Sequence, residues 1–306
     1  STPKPSSAAS DVYKRQFIIY IDVLVGLWVQ PCKNPNIFSR IKNLISFLIS
    51  AIKIIFLLGF LIGIHETGHF LIAKLCKVRV NEFAIGFGPV IWKKQGKETK
   101  YELRLIPLGG FVNMEGEAEQ SEKEGSFTKA SIPRRIAIVV AGALVNIIFA
   151  IIVYFILAMT VRGNLTNAVV GNRVLDADNF ENRLYFASYN TKEFMLSIAE
   201  SVKQLFTGKV SSAELVGPVG ISEVVAKTNG FREFIYILSA ISISLGVTNL
   251  LPFPPLDGGK IVLILLEAIR RKPLKQETEI KIQLAGFAVL MAVSIVVTYH
   301  DIVRIF

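Results

Sequence analysis

The residues that most constrain this chain form one apolar run at 54–74, IIFLLGFLIGIHETGHFLIAK. The run is long enough to cross a bilayer, which takes about 20 residues of helix. It nevertheless carries His65, Glu66 and His69. Because an ionisable group at membrane depth costs about 3 kcal/mol, such a group marks a functional site by default.

The spacing of these three residues predicts a metal site. Residues four apart share one helix face, so the imidazoles of His65 and His69 can reach the same ion. Glu66 follows the first histidine and is placed to act on a water molecule at that ion. The alternative is two buried histidines satisfied by hydrogen bonds, with Glu66 paired to one of them. Zinc is favoured because the chain has only 3 histidines and two of them fall in this pattern within an apolar span.

Composition places the chain among membrane proteins. Of its 306 residues, 52% are hydrophobic and 19% are charged, whereas about 25% of the residues of a globular protein are charged. Basic cytoplasmic loops beside an anionic lipid surface explain the net charge of +10. We therefore predict the lipid bilayer as a partner and no nucleic acid. The 2 cysteines, Cys32 and Cys76, form no disulfide framework.

Hydropathy predicts an all-α polytopic membrane protein with four core transmembrane helices. These spans lie at about 44–75, 136–161, 234–251 and 280–299. The polar stretch 77–135 holds short alternating runs separated by Gly86, Gly88 and Gly96, a pattern typical of β-hairpins. The fold class therefore includes a small membrane-associated β-hairpin region.

Four regions are predicted along the chain. Residues 1–30 are a leader, either disordered or artefactual, and its apolar part is an interfacial segment, a signal-like remnant or part of the artefact. A first catalytic half follows at 31–161. Next comes an extracytoplasmic linker, 162–232, with an amphipathic helix at 191–206. Residues 233–306 form the second catalytic half.

The basic loops predict the orientation. The connection between the third and fourth spans is basic, and such loops face the cytoplasm; its cations are Arg270, Arg271, Lys272, Lys275 and Lys281. The hairpin region lies two crossings away, on the same side. A smaller cluster of Lys33, Arg40 and Lys42 weighs against this orientation. We predict a multi-pass protein of the bacterial inner membrane with its active site toward the cytoplasm.

A catalytic zinc site needs a third protein ligand besides His65 and His69. Asp257 lies in the segment PFPPLDGG, whose prolines and glycines must break the helix. Irregular backbone at membrane depth has to be buried or line a cavity. His300, at the end of the last span, suits an interfacial position better. The predicted ligands are therefore His65, His69 and Asp257, while capping of the next helix is the alternative role for Asp257.

Two asparagines are further candidates. Asn249 is placed to donate from its amide to the oxyanion of amide hydrolysis, or it caps the end of its own helix. Asn146 belongs, with Gly142 and Ala143, to a small-residue face suited to close helix packing. Asn146 either stabilises the packing of neighbouring helices there or is a polar neighbour of the metal site.

The predicted reaction is metal-assisted hydrolysis of an amide bond. Zinc supplies an activated water and polarises the scissile carbonyl. Glu66 takes up a proton as general base and passes it to the leaving amine as general acid. A metal transporter or channel would instead show further intramembrane carboxylates and repeat symmetry, which the sequence lacks. A non-catalytic scaffold would lack Glu66 or one of the ligands.

These motifs resemble those of bacterial site-2 proteases, zinc intramembrane metalloproteases of the regulator-of-sigma-E-protease type. HETGH at 65–69 precedes NLLPFPPLDGG at 249–259. Also similar are GFGP (86–89), PLGGFVNMEGE (107–117), AGALVN (141–146) and GPVGIS (217–222). The resemblance covers about 44–300 and implies zinc held by the two histidines and Asp257, with Glu66 as base. It also implies Asn249 in contact with substrate or oxyanion.

The resemblance further implies substrates and an element that binds them. Gly86, Phe87 and Gly88 would belong to a hairpin that engages unfolding substrate by strand addition. The implied substrates are transmembrane proteins or peptides, such as anti-sigma factors trimmed by an upstream site-1 protease, or remnant signal peptides. Many relatives carry PDZ domains between the second and third spans. The segment 162–190 is too short for one, so this chain lacks PDZ gating or its sequence is truncated internally.

Overall fold

The computed structural model describes residues 37–117, 121–161, 163–207 and 217–305. The predicted leader, 1–30, lies outside the described residues. The helices are α1 (Ile37–Leu75), α2 (Ile132–Met159), α3 (Phe180–Thr207), α4 (Pro218–Ala226), α5 (Phe231–Asn249), α6 (Asp257–Arg270) and α7 (Gln276–Ile305). The strands are β1 (Val80–Gln95), β2 (Lys100–Met114), β3 (Val169–Val170) and β4 (Arg173–Val174).

Four helices within the described ranges are long and apolar enough to cross a membrane. They are Ile41–Leu75 of α1, Ile132–Met159, Phe231–Asn249, and Gln276–Arg304 of α7. The four predicted spans are therefore confirmed, with small shifts at their ends. Helix α2 follows Ser131 and carries a proline in its first turn, where the missing N–H of proline is not needed.

The predicted hairpin region is an antiparallel sheet of β1 and β2. Phe83 pairs with both Tyr101 and Val112, because each long strand bends back on itself. The bends fall at Gly86 and Gly88, whose φ angles are +90° and +82°, and at Gly109, with φ of +120°. Only glycine adopts such backbone angles readily. The sheet therefore owes its folded-over shape to the glycines that separate the alternating runs.

Strand β2 runs directly along α1. A Cβ atom added to Gly59 of α1 would lie 1.9 Å from the carbonyl oxygen of Pro107. Further along, a Cβ atom on Gly110 would lie 3.1 Å from Cγ of Glu66. Helix and strand backbones can approach this closely because glycine has no side chain. The sheet is thus positioned beside the polar residues of the first span.

Helix α2 packs at the centre of the bundle, between α1 and α5. Gly68 of α1 lies against Ala141, where an added Cβ would be 2.6 Å from the carbonyl oxygen. On the other side, a Cβ on Gly246 of α5 would be 2.7 Å from the carbonyl oxygen of Ala143. Ser242 of α5 also donates to the main-chain oxygen of Asn146 at 2.9 Å. Small residues at such crossings let transmembrane helices pack closely.

A broken segment separates α5 from α6. The chain leaves α5 after Asn249 and starts α6 at Asp257. Gly258 packs onto the segment, because an added Cβ would be 2.2 Å from the carbonyl oxygen of Leu251. Gly286 of α7 covers it from another side, with an added Cβ 2.1 Å from the carbonyl oxygen of Pro254. The irregular backbone therefore packs against α6 and α7 on two sides, while its side chains stay partly buried or exposed. Such backbone is tolerated at membrane depth where it packs in protein or lines a cavity.

One helix is longer than its periodicity indicates. The amphipathic pattern predicts a helix at 191–206, whereas α3 begins at Phe180. Its first turns instead pack Tyr185, Phe186 and Tyr189 onto a small cluster around the β3–β4 hairpin. These aromatic residues share one helix face, but that face packs on the local hairpin rather than on the bundle, so the helix predicted at 191–206 starts too late.

Candidate metal centre

The structure brings His65, His69 and Asp257 together. The Nε2 atoms of the two histidines lie 3.1 Å apart. Oδ2 of Asp257 lies 3.1 Å from Nε2 of His65 and 3.5 Å from Nε2 of His69. The histidines occupy successive turns of α1, and the aspartate is the first residue of α6. Three residues from two distant parts of the sequence thus direct their ligand atoms at one point.

The spacing of these atoms fits a zinc ion. Ligand atoms at about 2.0–2.1 Å from a tetrahedral zinc lie about 3.3 Å from one another. Two imidazoles and one carboxylate are also the donor set of a catalytic zinc site, in which a fourth position stays open. Oδ2 of Asp257 is buried and has no hydrogen bond of good geometry within the described part of the chain, despite the nearby histidines. A cation at the shared point would satisfy this oxygen.

Gly142 leaves the space that such an ion needs. A Cβ atom at this position of α2 would lie 2.4 Å from Nε2 of His69 and 2.8 Å from Nε2 of His65. The imidazoles therefore face the bare backbone of α2 rather than a side chain. The sequence singles Gly142 out only as a packing residue, so its position over the ligand atoms is information that the structure adds.

A main-chain carbonyl orients one of the two imidazoles. Nδ1 of His69 lies 2.8 Å from the carbonyl oxygen of Ile138. Because a carbonyl oxygen only accepts, Nδ1 carries the proton and Nε2 keeps its lone pair toward the shared point. His65 turns its Nδ1 toward the side chain of Asn146, at 3.5 Å. The sequence does not indicate this role of Ile138, because every residue type has the same main-chain carbonyl.

Glu66 lies next to the three ligand atoms and under strand β2. Its side chain is partly buried, and Gly110 packs beside it, since a Cβ atom there would lie 3.1 Å from Cγ of Glu66. The neighbouring Gly109 packs against the ring of Phe87, since a Cβ there would be 2.1 Å from that ring. The predicted base and the GFG bend of β1 are therefore joined through two glycines of β2.

The other predicted site residues supply no ligand atom to the metal-binding group found among the described residues. Asn249 is half-buried at the last residue of α5, and the described part of the chain gives its side chain no hydrogen bond. Gly86 and Gly88 form the bend of β1, and the Phe87 side chain between them is buried. His300 contacts Tyr299 near the end of α7 and is not part of the metal-binding group found among the described residues.

Charged side chains fix the helix that carries Asp257. Lys260 of α6 forms an ion pair with Glu117, which follows strand β2. Arg135 of α2 binds Glu267 of α6 at 2.6 Å. Both cations lie over the ring of Phe127, at 5.1 Å for Arg135 and 5.0 Å for Lys260. Helix α6 is therefore tied to the loop after the sheet at one end and to α2 at the other.

The loop that supplies Glu117 has its own anchor. Glu115 accepts hydrogen bonds from Ser121 and Asn81 and pairs with Lys123. These three contacts lower the pKa of the Glu115 carboxyl to about 2. The carboxylate therefore remains ionised at neutral pH and holds the two ends of the loop together.

Comparison with known families identifies the family to which the chain belongs. The sequence profile described as Peptidase family M50 matches residues 53–293. This range includes His65, Glu66, His69 and Asp257. The chain belongs to peptidase family M50. The predicted resemblance to site-2 proteases is thereby confirmed, as is the prediction of a zinc-dependent metalloprotease.

Several curated bacterial proteins are similar along most of the chain. A Clostridium acetobutylicum protein named "Putative zinc metalloprotease" is 32% identical over 321 positions, covering 80% of this chain and 95% of the relative. A Fusobacterium nucleatum protein of the same name is 29% identical, covering 85% and 99%. The zinc metalloprotease RasP of Bacillus licheniformis is 25% identical over 417 positions, covering 84% and 99%. That last alignment is longer than this 306-residue chain, so part of the relative has no counterpart here.

These relationships decide among the functional classes that the sequence left open. The M50 chain is an enzyme, a zinc-dependent metalloprotease, rather than a transporter or a scaffold. Its four apolar spans make it a multi-pass membrane protein. The geometry of the site and the class of the enzyme therefore point to hydrolysis of peptide bonds at membrane depth.

Proposed function

We propose that this M50 chain is an intramembrane endopeptidase that cleaves peptide bonds in or near the transmembrane segments of single-span membrane proteins. The observation that carries the proposal is the convergence of His65, His69 and Asp257 at 3.1–3.5 Å between helices of a membrane-spanning bundle. A water-consuming reaction placed there acts on substrates that share the membrane with the enzyme. Trimmed anti-sigma factors and remnant signal peptides are the proposed substrates.

His65, His69 and Asp257 would hold the zinc ion through Nε2, Nε2 and Oδ2. When bound, zinc supplies an activated water and a Lewis acid for the scissile carbonyl. Glu66 accepts a proton as general base and returns it to the leaving amine as general acid. Its placement beside the ligand atoms, on the same helix as both histidines, suits this transfer of a proton over a short distance.

The substrate must be unwound before it is cut. A helical backbone already uses its carbonyl groups in hydrogen bonds, so the scissile bond becomes reachable only in an extended segment. We propose that the bend of β1 at Gly86–Phe87–Gly88 offers backbone to such a segment by strand addition. This bend connects through Gly109 and Gly110 to Glu66, which supports a substrate path that ends at the base.

Asn249 is the proposed partner of the developing oxyanion or of the substrate backbone. It ends α5 immediately before the broken segment that leads to Asp257. A side-chain amide can donate to an oxyanion, and one such donor is worth about 100- to 1,000-fold in rate. A partly buried position, with no hydrogen-bond partner for the side chain among the residues that the structure describes, leaves the amide available for the substrate.

The proposed setting is the bacterial inner membrane, with the site toward the cytoplasm. The basic residues that flank α6 and α7 support this orientation, since short basic loops stay on the cytoplasmic side. An upstream site-1 protease that trims the external part of the substrate is the proposed partner. Such trimming would leave a short single-span fragment for this enzyme.

Substitution of Glu66 by glutamine tests the proposed function. Glu66→Gln should retain zinc, because Glu66 is not a ligand, and should lose at least about 100-fold in cleavage rate, the usual share of a general acid–base. Zinc content and cleavage of a model transmembrane substrate in proteoliposomes are the measurements. Glu200→Gln, an exposed carboxylate on α3, is the matched control. Undiminished cleavage by purified Glu66→Gln would refute the mechanism.

A further inference from the structure

Asn146 is the one fully buried amide beside the ligand atoms among the described residues. It has no exposed surface and lies on α2. Its Nδ2 atom is 3.5 Å from Nδ1 of His65. Its Oδ1 atom is buried and finds no hydrogen-bond partner in the ranges that the structure describes. A buried amide with one orphaned oxygen calls for an explanation, since nearly all buried polar atoms are paired.

We propose that Asn146 is a positioning residue that accepts a hydrogen bond from Nδ1–H of His65 and so fixes the tautomer and direction of this ligand. The proposal rests on the assignment of His65 as a zinc ligand. A histidine that gives Nε2 to a metal carries its proton on Nδ1, and that N–H needs an acceptor. Asn146 would thus orient a zinc ligand from helix α2 without binding the ion itself.

Turning the amide end for end pairs the proton on Nδ1 of His65 with Oδ1 of Asn146. The oxygen and nitrogen of a carboxamide have nearly the same shape, so their assignment follows from the hydrogen-bond network. With Nδ2 toward His65, two donors face each other and Oδ1 stays orphaned. With Oδ1 toward His65, the proton on Nδ1 gains an acceptor and the buried oxygen gains a donor. Once Nε2 is committed to a metal, the second arrangement replaces a contact between two donors by a hydrogen bond, while Nδ2 moves to the buried place that Oδ1 held.

Helix packing alone does not account for the side chain. The contact that joins α2 to α5 at this position is made by the main-chain oxygen of Asn146, which accepts from Ser242. Any residue at 146 would offer that oxygen. The carboxamide itself points to the other side, toward α1 and His65. Its polarity is therefore used by the metal site rather than by the α2–α5 interface.

The two histidines then differ in the group that accepts the hydrogen bond from Nδ1 and orients the ring. His69 is oriented by the carbonyl oxygen of Ile138, which no side-chain substitution removes. His65 is oriented by a side chain, so a single substitution can free it. Loss of such a partner typically weakens metal binding about 10- to 100-fold.

The test compares four versions of the full chain in detergent: wild type, Asn146→Leu, Asn146→Asp and Ser242→Ala. Zinc affinity is measured by competition with a chromophoric chelator, and the thermal unfolding of the metal-free protein is followed in parallel. Asn146→Leu removes the acceptor at similar size and should bind zinc about 10- to 100-fold more weakly. Asn146→Asp keeps an acceptor and should restore affinity to near the wild-type value. Ser242→Ala should lower stability but leave zinc affinity unchanged.

A purely structural role for Asn146 predicts another pattern. Asn146→Leu would then lose stability and keep wild-type zinc affinity, or Asn146→Asp would bind zinc as weakly as the leucine variant, and either result overturns the proposal. Should Asn146→Leu not fold, Asn146→Ala takes its place with the same expectation. His65→Ala separates the two levels of inference: full zinc affinity in that variant would refute the ligand set itself.

Discussion

At the scale of single residues, the metal centre depends on a glycine, Gly142, because a side chain at this position would fill the space beside the ligand atoms. Gly142 lies where α2 passes the two imidazoles, and its φ angle is ordinary, so glycine is not required for backbone conformation. It is required for room, because a methyl group there would lie within 2.8 Å of both Nε2 atoms. The ion and the methyl group would compete for one volume.

Gly142→Ala should therefore abolish zinc binding. We expect affinity to fall by more than about 100-fold, beyond the range seen when a ligand only loses its hydrogen-bond partner. Gly63→Ala on α1 is the matched control, since an added Cβ there meets no atom within 4 Å. Both changes raise helix propensity, by about 1 kcal/mol, so only the clash differs. Zinc content after dialysis is the measurement, and wild-type content in Gly142→Ala would contradict this role.

The sequence predicts residues that carry chemistry better than residues that make space for it. His65, Glu66 and His69 stand out because polar groups are costly in an apolar span. Asp257 stands out because prolines and glycines surround it. The carbonyl of Ile138 and the bare face of Gly142 act only through the crossing of α1 and α2. No pattern within a single helix encodes that crossing.

At the scale of elements, helix α6 is the one that must be held in place. It is 14 residues long, too short to cross a bilayer alone, yet it delivers Asp257 to two histidines on another helix. Lys260 follows Asp257 by about one helical turn and pairs with Glu117 at the end of the hairpin region. This ion pair is the link between the sheet and the third proposed ligand.

Replacing only one partner of the Lys260–Glu117 pair should destabilise the protein more than replacing both. Glu117→Gln leaves Lys260 over Phe127 without its ion-pair partner. We expect this to cost about 1–3 kcal/mol, below the roughly 3–5 kcal/mol of a fully buried pair, because both side chains are partly exposed. Zinc affinity should fall with it, because α6 loosens next to Asp257. The double variant Glu117→Gln/Lys260→Met should regain part of the stability.

Thermal unfolding and zinc affinity of these variants provide the measurement. Glu200→Gln breaks an exposed pair with Lys203 on α3 and should change stability by less than about 0.5 kcal/mol. A Glu117→Gln protein that unfolds like wild type would mean that the pair does not secure α6.

Long elements were predictable and short or folded-over ones were less so. The four spans follow from apolar length, and the β-hairpins follow from glycines between alternating runs. The sequence could not show that Phe83 pairs on both sides, since register depends on how the bends close. The early turns of α3 also escaped prediction, because their aromatic residues pack on a local hairpin rather than along the bundle.

At the scale of the whole molecule, polar links gather at the two ends of an apolar bundle. At one end, Arg135 binds Glu267 and Lys260 binds Glu117. At the other end, Asp301 of α7 accepts from the backbone of α4, and Lys53 of α1 donates to Thr228. Long helices with lipid-facing apolar sides connect the two ends. This layout matches a bilayer that excludes unpaired polar groups from its core.

The ligand set also spans this architecture. Two proposed ligands and the base come from the first half of the chain, and the third ligand comes from the second half. Helix α2 contacts both sides, with Gly142 against the imidazoles of α1 and Arg135 bound to α6. The site therefore forms only when both halves have inserted and α6 has docked against α2.

The same architecture fixes which connections share a membrane face. The hairpin region and the α6–α7 connection must lie on one side, and α3 must lie on the other, because successive spans alternate in direction. The α6–α7 connection carries Arg270, Arg271 and Lys272, so positive charge predicts that its side is cytoplasmic. The charges of α3 do not oppose this, since longer translocated regions are insensitive to their charge.

Single cysteines in a background without Cys32 and Cys76 test this orientation. A membrane-impermeant maleimide applied to intact spheroplasts should label Glu181→Cys on α3, an exposed position. It should label Lys97→Cys, in the turn of the hairpin, and Lys272→Cys only after the membrane is permeabilised. Labelling of Lys97→Cys and Lys272→Cys in intact spheroplasts, with Glu181→Cys protected, would invert the orientation and place the metal centre toward the outside. Disagreement between the two cytoplasmic positions would contradict the four-span topology itself, because both lie at the end of the bundle where Arg135 meets Glu267.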